Sequence, residues 1–227
     1  MTATRDDVLA ELGLLPRWRL RAPLHAGEAA QPEDRLARIA RLAWRDLAAD
    51  IDACDACGLC RTRNRTVPGV GDDAAEWLFV GEAPGAEEDA HGEPFVGQAG
   101  RLLDNMLGAL GMARERNVYI ANVLKCRPPN NRTPEPLEVD ACRPYLERQV
   151  ALIAPKLIVA LGRSAASLLL GTDASIASLR GRVHRFRGIP LVVTYHPAYL
   201  LRNLHDKAKA WEDLLLARAT VAKSAAL

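Results

Sequence analysis

The sequence is poor in aromatic residues, which make up 5% of the chain, and only three of them are Phe. A phenylalanine placed in a polar loop is therefore a candidate for something other than core packing. No apolar run approaches the ~20 residues that a spanning helix requires, which argues against an integral membrane protein. Net charge is also small, +2 at a pI near 8.3, so no overall basic field announces a nucleic-acid partner. Basic clusters do occur at Arg61, Arg63 and Arg65, at Lys125, Arg127 and Arg132, and at Arg180, Arg182, Arg185 and Arg187. Solvated surface charge accounts for them equally well. Near the N-terminus Arg5, Asp6, Asp7 and Glu11 interrupt the apolar positions, giving an amphipathic helix and not a secretory leader. A cytoplasmic location is expected. In that compartment five cysteines argue against disulfides and for a metal, a cluster or catalysis.

No internal repeat or low-complexity tract is present. Residues 5–14 read as a short helix, 21–33 as a linker with Pro23, Gly27 and Pro32, and 35–51 as a helix. After Cys60 short apolar runs alternate with helical stripes. Strands are expected at 77–80, 118–121, 156–161 and 190–194, and helices at 98–110, 136–153, 164–170 and 207–222. That alternation predicts an α/β fold: one domain with a central, mostly parallel four-stranded sheet covered by helices on both faces. The expected division is an N-terminal helical extension (1–50), the α/β domain (51–222) and a short tail (223–227). In such sheets ligands gather at the carboxyl ends of the strands. The residues found just past those ends are Gly81-Glu82, Asn122, Gly162-Arg163 and His196.

The cysteines have a pattern. Cys54 and Cys57 form a C-x2-C pair, 68 residues separate Cys57 from Cys126, and 15 separate Cys126 from Cys142. Four thiolates suit a 4Fe-4S cluster or a structural zinc, and neither spacing nor ligand softness decides between them. Cys60 could replace Cys57 in spacing but is treated as a spare thiol.

Three segments carry a more specific signal: GEAPGAEEDAHGEPFVGQAGRLL at 81–103, NVLKCRPPNNRTP at 122–134 and YHPAYLLRN at 195–203. Together with the cysteine spacing they resemble the family 4, iron–sulfur uracil-DNA glycosylases, from about Cys54 to Leu216. The resemblance implies a uracil-DNA glycosylase-like fold and a structural 4Fe-4S cluster on Cys54, Cys57, Cys126 and Cys142, with zinc as the alternative. It implies hydrolysis of the N-glycosidic bond of a flipped-out deoxyuridine, leaving an abasic site. The partner would be uracil-bearing DNA, single- or double-stranded, and the protein would act as a monomer without a membrane. Residues 1–50 lie largely outside the match and are a candidate arm for a protein partner.

The chemistry needs a donor at the uracil O2, a group to position water at the sugar, and a pocket that reads the base. By resemblance His196 is the donor, an electrostatic role worth ~3–4 kcal/mol when preorganised. Glu82 positions water, with Glu88 and Asp89 as loop holders or solvated carboxylates. Asn122 reads O4 and N3–H through its carboxamide, Phe95 stacks on the ring, and Gly81, Glu82 and Ala83 line the pocket. For DNA, Leu200 and Leu201 are the apolar wedge and Arg202 meets phosphate, although the two leucines would also suit a helix core. Arg163 and Ser164 open a helix able to take a backbone phosphate. Lys125, Arg127 and Arg132 add phosphate contacts.

The motifs offer no obvious lysine nucleophile for a Schiff base, so the expected enzyme is monofunctional. Two other classes fit parts of the pattern. A DNA-binding relative that traps its substrate covalently is disfavoured by Ala83 and the plain HPAYLLRN segment. An iron–sulfur scaffold or accessory protein leaves Glu82, Asn122 and His196 unexplained.

Overall fold

The computed structural model of the chain describes residues 5–13 and 32–224. The chain divides into two compact units, Met1–Arg35 and Leu36–Leu227. In the first, α1 (Arg5–Glu11) is a short helix. The expected linker lies, up to residue 31, outside the described residues. The remaining helices are α2 (Pro32–Arg41), α3 (Trp44–Asp52), α4 (Ala86–His91), α5 (Gln98–Ala109), α6 (Pro136–Ile153), α7 (Arg163–Leu170), α8 (Ile176–Leu179), α9 (Pro197–Leu200) and α10 (Lys207–Ser224). No helix among the described residues is long and apolar enough to cross a membrane.

Six strands form one sheet: β1 (Val70–Gly71), β2 (Trp77–Gly81), β3 (Val118–Asn122), β4 (Leu157–Leu161), β5 (Val183–Phe186) and β6 (Ile189–Thr194). Their order is β1-β3-β2-β4-β6-β5. The four expected strands are β2, β3, β4 and β6, and they pair in parallel. The two edge strands are antiparallel additions. Their absence from the sequence reading has physical causes. Strand β1 has two residues, and β5 alternates between exposed and half-buried, so neither carries an apolar run. The β5–β6 hairpin turns on Arg187 and Gly188, both in the left-handed region (φ 49° and 85°).

The central strands are buried on both faces, as their unbroken apolar runs require. Leu78, Val80, Ala121, Ile158, Ala160 and Val193 face one layer, with Val139, Leu146 and Val150 of α6 and Ala166 of α7. Phe79, Ile120, Val159 and Val192 face the other, with Leu103 and Leu107 of α5 and Leu214 and Ala217 of α10. The helix expected over 35–51 is two helices. The carbonyl of Leu42 leaves the helical ladder to accept from Arg148 Nε at 2.7 Å, and Ala43 is extended. Beyond the break Trp44 meets Tyr119 edge-on, ring centroids 5.2 Å apart.

A small core of its own forms where Ile39 of α2 and Leu47 and Ile51 of α3 surround Tyr145 of α6. Ile39 is 1% exposed, so Ile39→Ala is expected to lower global stability by about 2–4 kcal/mol in denaturant titration. An unchanged midpoint would show that α2 contributes nothing to the fold.

Candidate functional site

The parallel register delivers the site. Gly81 pairs with Asn122 at the carboxyl ends of β2 and β3, and β6 ends at Thr194, two residues before His196. These ends open on a cavity of about 1120 Å³ including its mouth, lined by Glu82, Ala83, Glu88, Phe95, Asn122, Arg132, His196 and Arg202 among others. Seven residues expected to act on the base or the DNA (Glu82, Ala83, Phe95, Asn122, Arg132, His196 and Arg202) thus share one pocket.

Asn122 is 2% exposed, and its Oδ1 has no hydrogen-bond partner among the described residues. A buried carbonyl oxygen left unpaired is unfavourable by ~1–3 kcal/mol, so an unsatisfied acceptor on a residue lining a cavity marks a candidate ligand position. The approach is tight. A Cβ on Gly81 would stand 2.3 Å from Asn122 Oδ1 and 2.8 Å from Phe95 Cζ, so only glycine permits both contacts. Phe95 is itself left-handed at φ 57°, a conformation that costs a bulky residue on the order of 1–3 kcal/mol. Its ring lies 5.5 Å from that of His196 at 31°.

His196 is the N-cap of α9 and its Nδ1 accepts from Ala198 N at 3.1 Å. That bond assigns the proton to Nε2, making the far side of the ring a donor. Burial draws the imidazole pKa down to about 4, opposed by Glu88 and assisted by Arg202, so the ring is neutral at physiological pH. Glu82 moves the other way. Burial raises its carboxyl above the usual range, and a hydrogen bond from Ser164 partly opposes the rise. Ser164, expected at a phosphate, gives its hydroxyl to Glu82. Arg163 is exposed and donates to Asp173 O at 3.2 Å.

Two expected DNA contacts are corrected by burial. Leu200 is 1% exposed and packs with Tyr195 and Ala210, so it has no surface to offer DNA; Leu201, 40% exposed, does. Lys125 is also buried, donating Nζ to Asn122 O at 2.8 Å and to Gln149 Oε1 at 2.6 Å. Arg132 remains on the rim, paired with Glu138 at 2.6 Å. Asp89 holds the Asn64 side chain and backbone at 2.7 and 2.9 Å. Glu88 accepts from Gly85, Val96 and Gly97 amides at 3.0–3.3 Å, so both carboxylates hold loops.

All five cysteines line a second, smaller cavity, with Arg63, Lys125, Ile51 and Tyr145. Arg63 Nη1 donates to Cys126 Sγ at 3.2 Å, and the Lys125 amide donates to Cys142 Sγ at 3.2 Å. Burial raises the thiol pKa of Cys57, Cys126 and Cys142, the last to about 12, and lowers that of Lys125 to about 8. Among the described residues no three His, Cys, Asp or Glu side chains converge on a position for one metal ion. The thiols ring a space instead. Cys60, treated as spare, lines the same cavity.

The description "Uracil DNA glycosylase superfamily" belongs to the family profile that matches residues 68–215. Over 164 residues the chain is 47% identical to the type-4 uracil-DNA glycosylase of Archaeoglobus fulgidus, spanning 69% of this chain and 82% of that protein. The type-4 uracil-DNA glycosylase of Thermotoga maritima is 44% identical over 177 residues, 76% of this chain and 92% of that one. A type-5 uracil-DNA glycosylase from Thermus thermophilus is 34% identical over 155 residues, 58% and 68% of the two chains.

The site also makes a measurable prediction about protonation. In an NMR titration the His196 ring resonances are expected to move near pH 4, well below the ordinary imidazole value of 6.5. A midpoint at 6 or above would mean that the ring is solvated, and the account of a dry pocket holding it neutral would fall.

Proposed function

The chain belongs to the uracil DNA glycosylase superfamily, and from that premise we propose how its side chains divide the work of removing uracil from DNA. The protein is a monofunctional uracil-DNA glycosylase: it hydrolyses the N-glycosidic bond and serves DNA repair. The observation that carries the proposal is the buried, unpartnered Oδ1 of Asn122, in one cavity with Phe95, Glu82 and His196.

On this reading a uracil extruded from the helix slides over Phe95, and Asn122 Oδ1 accepts its N3–H while Nδ2 donates to O4. Cytosine presents the reversed pattern at those positions. As the bond from N1 to the sugar C1′ breaks, the bonding pair leaves with the base and negative charge grows on O2. The neutral His196 ring meets that charge with its Nε2–H. A neutral donor serves well because its dipole is already aimed at the oxygen when charge appears. Glu82 faces the cation-like sugar, holds the attacking water, and accepts its proton as the new C1′–O bond forms. Its raised pKa suits a group that must take up a proton near neutrality.

DNA is held by the residues around the mouth. Leu201 is proposed as the apolar wedge and Arg202 as its phosphate-facing neighbour, with Arg163 and the start of α7 at a second phosphate. The substrate is uracil-bearing DNA, single- or double-stranded, met by a monomer in the cytoplasm. Residues 1–50 are proposed as an extension to a core over 51–222, with a protein partner for its first part.

The cysteine cavity is proposed as the seat of a structural 4Fe-4S cluster on Cys54, Cys57, Cys126 and Cys142. Thiolates spaced round a cavity suit a polynuclear centre, whereas zinc needs four ligands within ~2.3 Å of one point. Arg63 and Lys125 supply positive charge and N–H donors beside sulfurs that would otherwise be hard to ionise. When bound, the cluster supplies a covalent brace between the end of α3 and the segment after β3, and no redox step is required of it.

Purified, cluster-loaded protein is expected to release free uracil from uracil-containing DNA without magnesium or nucleotide; release of none would end the catalytic assignment. Asn122→Asp is expected to slow excision by on the order of 100-fold while leaving affinity for undamaged DNA nearly unchanged. Equal losses in both would remove the base-reading role. Iron chelation should bleach the visible absorption and lower the melting temperature together with activity. A colourless protein of undiminished stability and activity would contradict the cluster.

A further inference from the structure

We propose that Arg114, oriented by Asp104, is a positioning residue that sets Phe95 in the conformation from which its ring meets the base. The proposal deepens the reading of Phe95 as the stacking platform and rests on it. Phe95 is held in the left-handed region, at φ 57°. Bulky side chains rarely adopt that conformation, and it persists only where the surroundings over-determine it. Here the surroundings can be named.

Arg114 Nη1 donates to Pro94 O at 2.8 Å and its Nη2 donates to Phe95 O, so one guanidinium grips two successive carbonyls. Asp104 fixes the plane of that guanidinium, accepting from Nε at 2.6 Å and from Nη2 at 3.3 Å. On the far side Gly100 makes room: a Cβ there would lie 1.6 Å from Phe95 O. The next two amides, of Val96 and Gly97, are held by Glu88 Oε1 at 3.0 and 3.3 Å. The turn is clamped before and after the ring. Arg114 comes from the connection ahead of β3 and Asp104 from α5. Neither is among the residues lining the pocket, so both act through Phe95.

A rigid planar fork suits this task, since it satisfies two carbonyls at a fixed separation that a point charge cannot encode. The functional consequence is selective. Loosening the clamp lets Phe95 relax toward ordinary backbone angles and swing its ring from Gly81. Stacking on the base is then lost, while the DNA-facing surface around Arg202 is untouched.

The test uses the full-length, cluster-loaded protein and two probes: free uracil as a competitive inhibitor, and DNA bearing a tetrahydrofuran abasic analogue, which offers no ring to stack. Arg114→Gln and Asp104→Asn are expected to raise the uracil concentration for half-inhibition about tenfold while abasic-site affinity stays within about twofold. Arg114→Lys should recover little, because it restores charge without the fork. Phe95→Ala supplies the reference. If Phe95→Ala leaves uracil inhibition unchanged, the stacking reading fails and the clamp with it. If Phe95→Ala weakens inhibition while folded Arg114→Gln and Asp104→Asn do not, the clamp alone is overturned. Should Arg114→Gln fail to fold, Asp104→Asn decides: loss of both probes in parallel with a lower melting temperature would assign a general structural role and overturn the proposal.

Discussion

Asn122 carries its unpaired oxygen at the carboxyl end of a central strand, where burial makes an empty acceptor unfavourable. Several features of the fold converge on keeping it there. Parallel pairing of β2 and β3 sets Gly81 opposite Asn122. Gly81 then lets the carboxamide and the Phe95 ring approach from two sides without displacing either. The unfavourable oxygen and the strained Phe95 are therefore features of one design, in which a surrounding scaffold holds local instability in place. A relaxed Asn122 satisfied by a neighbour would be a more stable residue and a poorer reader of a base, since its orientation would answer to that neighbour.

The dry pocket acts on two ionisable groups in opposite senses. Loss of water disfavours charge on both, so His196 is driven toward the neutral ring and Glu82 toward the neutral acid. For the histidine this is compatible with acting as an Nε2–H donor, because the Ala198 amide occupies Nδ1 and fixes the tautomer. For the glutamate the Ser164 hydroxyl restrains the rise by donating to the carboxylate. The helix start that looked like a phosphate site from sequence thus also tunes the Glu82 carboxyl in the pocket.

Much of the fold is legible in the sequence because buried parallel strands write themselves as unbroken apolar runs. Trp77–Gly81, Val118–Asn122 and Leu157–Leu161 differ from their expected bounds by one residue at one end each. What periodicity does not reveal is a tertiary bond that overrides it. Arg148 draws Leu42 O out of the ladder and splits one expected helix into two. The site residues of the three motifs were legible as residue types at strand ends. Their partners were not: Arg114 sits in an ordinary turn sequence, and Lys125 reads as a surface cation beside Arg127 until burial places it inside. Leu200 shows the same limit, since consecutive leucines give no sign of which one faces the core.

Lys125 joins the two cavities. Its Nζ holds the main-chain oxygen of Asn122, while its own amide donates to Cys142 and the next residue is Cys126. A span of four residues therefore runs from Asn122 to the cysteine cavity, with a buried cation fastened by Asn122 O and Gln149. Burial draws the pKa of this enclosed ammonium down to about 8, opposed by negative charge at the Cys142 and Cys126 sulfurs. Thiolates ligated in the neighbouring cavity would provide that charge. The cluster proposed at the cysteines would therefore act on Asn122 through Lys125 as well as through the chain, without entering the reaction.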